Sequence, residues 1–130
     1  MTEPLAAWIE LPQFLDERGC LSAIDFSLLP FAPRRLFYVD NVPTGTKRGG
    51  HAHQEATQLL ICLSGHIQVE LRRGIERCTV VCEPLGRGLV IRPRIWAQQT
   101  YLEAGSTLLV ICSHSYDLNS CIADAEPLSP

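Results

Sequence analysis

Apolar residues recur along the chain in short runs rather than at helical spacing. Segments rich in Val, Ile, Leu, Phe and Tyr stand at CLSAIDF, RLFYVDNV, TQLLICL, HIQVELR, CTVVCE, GLVIRP, QQTYL and STLLVIC. Turn signals separate many of them: Pro43-Thr44-Gly45, Ser64-Gly65, Arg72-Arg73-Gly74, Pro84-Leu85-Gly86 and Glu103-Ala104-Gly105. In IQVEL, the residues Ile67, Val69 and Leu71 fall on one face and Gln68 and Glu70 on the other, so this segment and the RRG after it predict a hairpin. No segment of helical length carries apolar residues at i, i+3, i+4 and i+7; DFSLLPF has room for a short turn. Many short strands at this spacing predict an all-β sandwich, barrel or jelly roll. The last stretch, DLNSCIADAEPLSP, turns polar and is expected to be a surface tail or a cap over one end.

Length and charge narrow the classes. A chain of 130 residues is expected to form one domain over 1–130, long enough for a hydrophobic core and too short for two ordinary ones. A net charge of -3 gives no case for nucleic acid, and the basic pairs Arg34-Arg35, Lys47-Arg48 and Arg72-Arg73 are short and scattered. MTEPLAAWIELPQF lacks the basic segment and apolar run of a secretory signal, and no apolar stretch approaches the roughly 18 to 20 residues of a membrane helix. The expected location is the cytoplasm, without a membrane partner. Of the six cysteines, Cys62 in LLICL and Cys112 in LLVIC sit as small buried hydrophobes do, and Cys78 and Cys82 lack zinc-type spacing. Reduced thiols are expected.

The candidate chemistry lies in TKRGGHAHQEATQ, where His51 and His53 account for two of only four histidines. On an extended strand both side chains point to the same side, because the period is two. The spacing Gly45, His51, His53, Gln58, Gly65 resembles the first sequence motif of cupins, which are double-stranded β-helix jelly rolls whose His, His and Glu usually bind a metal. Here Gln58 holds the Glu position, and Ala97 and Gln98 stand where the second motif should bring an imidazole. Two imidazoles alone are a poor ligand set, so a metal-free site is expected. A histidine pair with ordinary pKa values near 6.5 can instead accept and donate protons at neutral pH. The plainer alternative is a pair of hydrogen-bonded core histidines.

Longer matches make the resemblance more specific. RGGHAH matches the RGxHAH signature of the WxcM-like sugar 3,4-ketoisomerases, which act on dTDP-4-keto-6-deoxyglucose. ERGCLSAID, RRLFYVDNVPTG, QLLICLSGHIQVEL, GLVIRPRIW and STLLVICSHSYD resemble further segments of that family, from about Asp16 to Asp117. The resemblance implies a cupin-type jelly roll, a homodimer, a dTDP-linked sugar substrate, and isomerisation without a metal or organic cofactor in the making of unusual deoxy or amino sugars. It implies that His53 is the base at C3 and that His51 shuttles the proton at the carbonyl end.

An enediol-like intermediate places negative charge on oxygen, which a fixed cation or hydroxyl donor stabilises; Arg48 and Tyr38 are the candidates. Arg35 is a candidate for the diphosphate, Gln58 for a sugar hydroxyl or a histidine, and Trp96 for stacking on the base or sugar. His66 and His114 are expected at solvent-facing strand ends, and Glu55 in a loop. Relatives often have histidine where Ala97 follows Trp96, and their YD-x-x-x-YIRDY ending becomes YDLNSCIADA here, with two aromatics and an arginine lost. Two alternatives stand beside the isomerase: a metal-dependent cupin enzyme and a non-catalytic cupin that binds nucleotide sugars.

Overall fold

The computed structural model describes residues 4–84, 86–116 and, as backbone, 121–123. Its strands are β1 (Ala7–Glu10), β2 (Gln13–Asp16), β3 (Gly19–Ser22), β4 (Arg35–Val39), β5 (Lys47–His53), β6 (Gln58–Ser64), β7 (Ile67–Arg73), β8 (Glu76–Cys82), β9 (Arg87–Ile91), β10 (Trp96–Tyr101), β11 (Thr107–Cys112) and β12 (Cys121–Ala123). They form two five-stranded sheets, ordered β1-β9-β6-β11-β4 and β12-β5-β10-β7-β8, with β2 and β3 as a separate hairpin. All pairings are antiparallel and, from β4 to β12, consecutive strands alternate between the two five-stranded sheets except at the β7–β8 hairpin, which is the jelly roll of the cupin type. Among the described residues no helix is long and apolar enough to cross a membrane.

The side-chain pattern explains the layering. Ile67, Val69 and Leu71 of β7 are fully buried and face Leu60, Cys62, Leu89 and Leu108 of the other sheet, as their alternation predicts. LLICL does not alternate, and the reason is a second apolar layer. Leu59 and Ile61 pack outward with Leu11, Val90 and Ile111 beneath Ile9, Ile24, Leu29 and Phe31 of the N-terminal segment. A strand covered on both faces reads as a continuous apolar run. The turn expected in DFSLLPF is a single 3-10 turn, Phe26–Leu28, capped by Asp25, whose carboxylate accepts from the Ser27 amide at 3.1 Å.

The polar tail holds a strand that alternation did not reveal. β12 pairs with β5, setting Cys121 opposite His53 and Ala123 opposite His51. The expected tail or cap otherwise lies at 117–120 and 124–130, outside the described residues, as do most of the departures from the relatives' ending.

β5 carries a bulge where it meets β10. His51 pairs with Ala97 and Gly49 with Gln98, so Gly50 is the extra residue. Gly49 and Gly50 have φ of 85° and 82°, which side chains rarely adopt, and a Cβ on Gly49 would lie 3.1 Å from the Ala97 carbonyl oxygen. Gly49→Ala is therefore expected to cost about 1–3 kcal/mol and to lower the melting temperature by several degrees, measured by thermal unfolding. An unchanged midpoint would show that the bulge is not needed at that place.

Candidate active site

β5 projects His51 and His53 to the inner side of its sheet, as period two requires. Their ring centroids are 5.0 Å apart and the planes meet at 74°, edge to face. Across a cavity of about 130 Å³ stand residues from the facing sheet: Arg35 and Phe37 of β4, Gln58 of β6 and Cys112 of β11. Register explains their convergence, since Cys112 pairs with Arg35 on one side and with Gln58 on the other. His114, Ser115 and Tyr116 continue the wall beyond β11. No Asp or Glu is among the described residues that line it, so the described wall is cationic or neutral.

The surroundings act on these groups in specific ways. His53 is pushed below the ordinary imidazole value of 6.5, first by burial, then by His51 and by the Arg35 guanidinium, and so stays neutral and basic at physiological pH. Nδ1 of His51 is buried and has no hydrogen-bond partner among the described residues. Buried ring nitrogens normally have one, which makes this atom a place for a ligand's hydrogen bond. The Arg35 guanidinium sits 4.5 Å from the Phe37 ring centroid and 5.0 Å from that of Tyr116, a cation held between aromatic rings. Gln58 Nε2 donates to the Cys112 sulfur at 3.4 Å, and burial pushes the Cys112 thiol up, so it remains protonated.

Of the seven site residues expected from sequence, four meet in this cavity: His51, His53, Arg35 and Gln58. The other three stand elsewhere. Tyr38 lies on the opposite face of β4 from Arg35 and Phe37 and is 65 % exposed, because alternation that turns its neighbours inward turns it out. Trp96 alternates with the core residue Ala97, pairs with Arg72, and has that guanidinium 4.5 Å over its ring on the outer face of the sheet. Arg48 pairs with Gln99, near the Tyr101 end of β5, and is exposed rather than part of the cavity wall.

Phe37, Cys112, His114 and Tyr116 were not expected at the site. Phe37 was within reach of period two from Arg35, whereas Cys112 and His114 depend on cross-strand register. His66 is not among the residues that line the cavity, and its Nδ1 is 3.2 Å from Glu103 Oε1. Among the described residues no group of three or more His, Cys, Asp or Glu is placed to hold a metal ion. With Gln58 in the acid's place and Ala97 beside His51, the two imidazoles form an incomplete shell.

Comparison with known proteins agrees with this geometry. Residues 5–128 match the family model described as FdtA: WxcM-like, C-terminal. The TDP-4-oxo-6-deoxy-alpha-D-glucose-3,4-oxoisomerase of Aneurinibacillus thermoaerophilus is 29 % identical over 110 residues, which are 84 % of this chain and 79 % of that enzyme. The crystal structure of QdtA, a sugar 3,4-ketoisomerase from Thermoanaerobacterium thermosaccharolyticum in complex with TDP, superposes with a TM-score of 0.89 at 29 % identity, covering 94 % of this chain and 90 % of that one. A variant of QdtA with one histidine replaced by asparagine, in complex with TDP-4-keto-6-deoxyglucose, gives a TM-score of 0.90 at 28 % identity over 96 % of this chain and 91 % of that one.

Proposed function

The chain belongs to the WxcM-like, C-terminal (FdtA) family, and on that footing we propose that it converts a TDP-4-keto-6-deoxyhexose to the 3-keto sugar by proton transfer. The relatives named above act on or bind TDP-linked sugars, and their folds match along nearly the whole chain. The observation that carries the reading is a histidine pair, edge to face in one cavity with a guanidinium and with no carboxylate among the described residues that line it.

The chemistry balances without an outside reagent. Neutral His53 takes the proton from C3 of the sugar, and the electron pair of that bond forms a C3–C4 double bond as the C4 ketone becomes an enolate oxygen. Arg35 lies on the same cavity and stabilises that charge more than it stabilises the neutral ketone. His51 protonates the oxygen at C4. The C3 hydroxyl then gives up its proton, C4 receives one, and the ketone stands at C3. C3 is oxidised and C4 reduced within one molecule, so neither nicotinamide nor flavin is called for, and the histidine pair supplies the acid and base that a cupin metal would otherwise assist.

Gln58 and the protonated Cys112 thiol are suited to the sugar hydroxyls. Residues 1–130 act in this reading as one domain, and the protein works in the cytoplasm as a homodimer. Free thiols at Cys20, Cys62, Cys78, Cys82 and Cys112 support the location, and exposed Phe14, Leu15 and Leu21 on the β2–β3 hairpin support self-association.

Incubation with TDP-4-keto-6-deoxyglucose in deuterated water tests the reading. The expected result is a 3-keto product with solvent deuterium at C4. Recovery of unchanged, unlabelled substrate would favour a binding protein. Turnover that vanishes on removal of a stoichiometric metal would favour the metal-dependent cupin.

A further inference from the structure

His114 lies on the continuation of β11, two residues past Cys112, and lines the same cavity nearer its mouth. Its ring is not loose. Thr57 and Ser113 extend the pairing of β6 with β11: the Ser113 amide donates to the Thr57 carbonyl at 3.0 Å and the Thr57 amide donates to Ser113 Oγ at 2.9 Å. Ser113 Oγ is 2.7 Å from His114 Nδ1. Ser113 Oγ accepts from Thr57 and keeps its own proton and a second lone pair, so it can donate that proton to Nδ1 of a neutral ring. That leaves the ring proton on Nε2, a donor without a protein partner among the described residues. If the ring is protonated, the second lone pair of Ser113 accepts from Nδ1 and Nε2 still donates. In both of these arrangements the serine fixes the ring and His114 offers an N–H.

The surroundings say what that N–H should meet. Arg35 supplies positive charge to the wall, and no carboxylate among the described residues that line it offsets that charge. With the sugar's C3 and C4 at His51 and His53, the group that follows toward the mouth is the diphosphate. We propose that His114 is a substrate-binding residue that donates from Nε2 to a diphosphate oxygen of the nucleoside-diphosphate sugar, with Ser113 as its positioning residue; this rests on the nucleotide-sugar reading of the same pocket.

The test compares His114→Ala and His114→Gln with the unaltered protein, by calorimetric titration with TDP and with thymidine and by steady-state turnover of TDP-4-keto-6-deoxyglucose. One lost hydrogen bond to a charged oxygen predicts TDP binding weaker by about tenfold and a KM raised to a similar degree, with a much smaller change in kcat. Thymidine, which has no phosphate, should bind the Ala variant and the parent equally. Gln places an amide N–H near the position of Nε2 and should recover much of the loss. TDP affinity unchanged in His114→Ala, or thymidine weakened as much as TDP, overturns the assignment while leaving the isomerase reading intact. If the parent protein neither binds TDP nor turns over the sugar, both fall together.

Discussion

Replacing His53 with asparagine is expected to lower kcat by about 10²- to 10⁴-fold, the range set by losing a positioned general base. Asparagine keeps a polar side chain of similar reach but has no basic nitrogen, so proton removal from C3 is lost while contacts to a sugar hydroxyl persist. The fold should persist too. The His53 backbone carbonyl accepts from the Arg94 amide at 2.7 Å and its backbone pairs with Cys121 of β12, and a side-chain substitution leaves both main-chain links in place. Two measurements separate chemistry from binding: turnover in deuterated water, where label at C4 should disappear, and titration with TDP, where affinity should stay within a few-fold of the parent. Undiminished deuterium uptake would place the C3 base elsewhere, with His51 the first alternative.

The sequence carried the inner face of the fold better than its outer one. Period two in IQVEL located Ile67, Val69 and Leu71 because one side of β7 meets the core and the other does not. The same rule was silent for LLICL, buried on both faces, and for β12, whose three residues show no pattern of their own and are placed by pairing with β5. At the site, His51 and His53 were legible from spacing, and Arg35 was expected from its chemistry as a diphosphate ligand, the oxyanion role having been expected of Arg48 and Tyr38. Tyr38 was expected inside, although alternation from Arg35 turns it out. Arg48 illustrates a different difficulty. It stands three positions before His51, so strict alternation sets the two on opposite faces, but the extra Gly50 reverses the parity and pairs Arg48 with the inward-facing Gln99. It still falls short of the cavity, since β5 carries it toward the Tyr101 end. Cys112 was legible as buried and hidden as a wall residue, because its neighbours Arg35 and Gln58 are remote in sequence and brought in only by register.

Arg35→Gln is expected to lower kcat/KM by about 10²-fold and to move the acid limb of the pH profile upward. The first effect follows from removing the cation beside the developing enolate, where a fixed charge in a partly dry cavity counts for more than in water. The second has a definite sign. A nearby guanidinium opposes a second positive charge, so Arg35 helps hold His53 below 6.5, after burial and His51. The base is active when neutral, and the parent's acid limb should therefore lie below that value. Taking away the smallest of the three causes lets the His53 pKa rise part of the way back. The variant should thus lose activity at a higher pH than the parent on acidification, with burial and His51 still keeping the limb under 6.5. Arg35→Lys should mend this only in part, because an ammonium lacks the flat face that Phe37 and Tyr116 hold at 4.5 and 5.0 Å. A limb that moves to lower pH in Arg35→Gln, or a kcat/KM that does not fall at its optimum, would remove Arg35 from the chemistry and leave the oxyanion without its counter-charge.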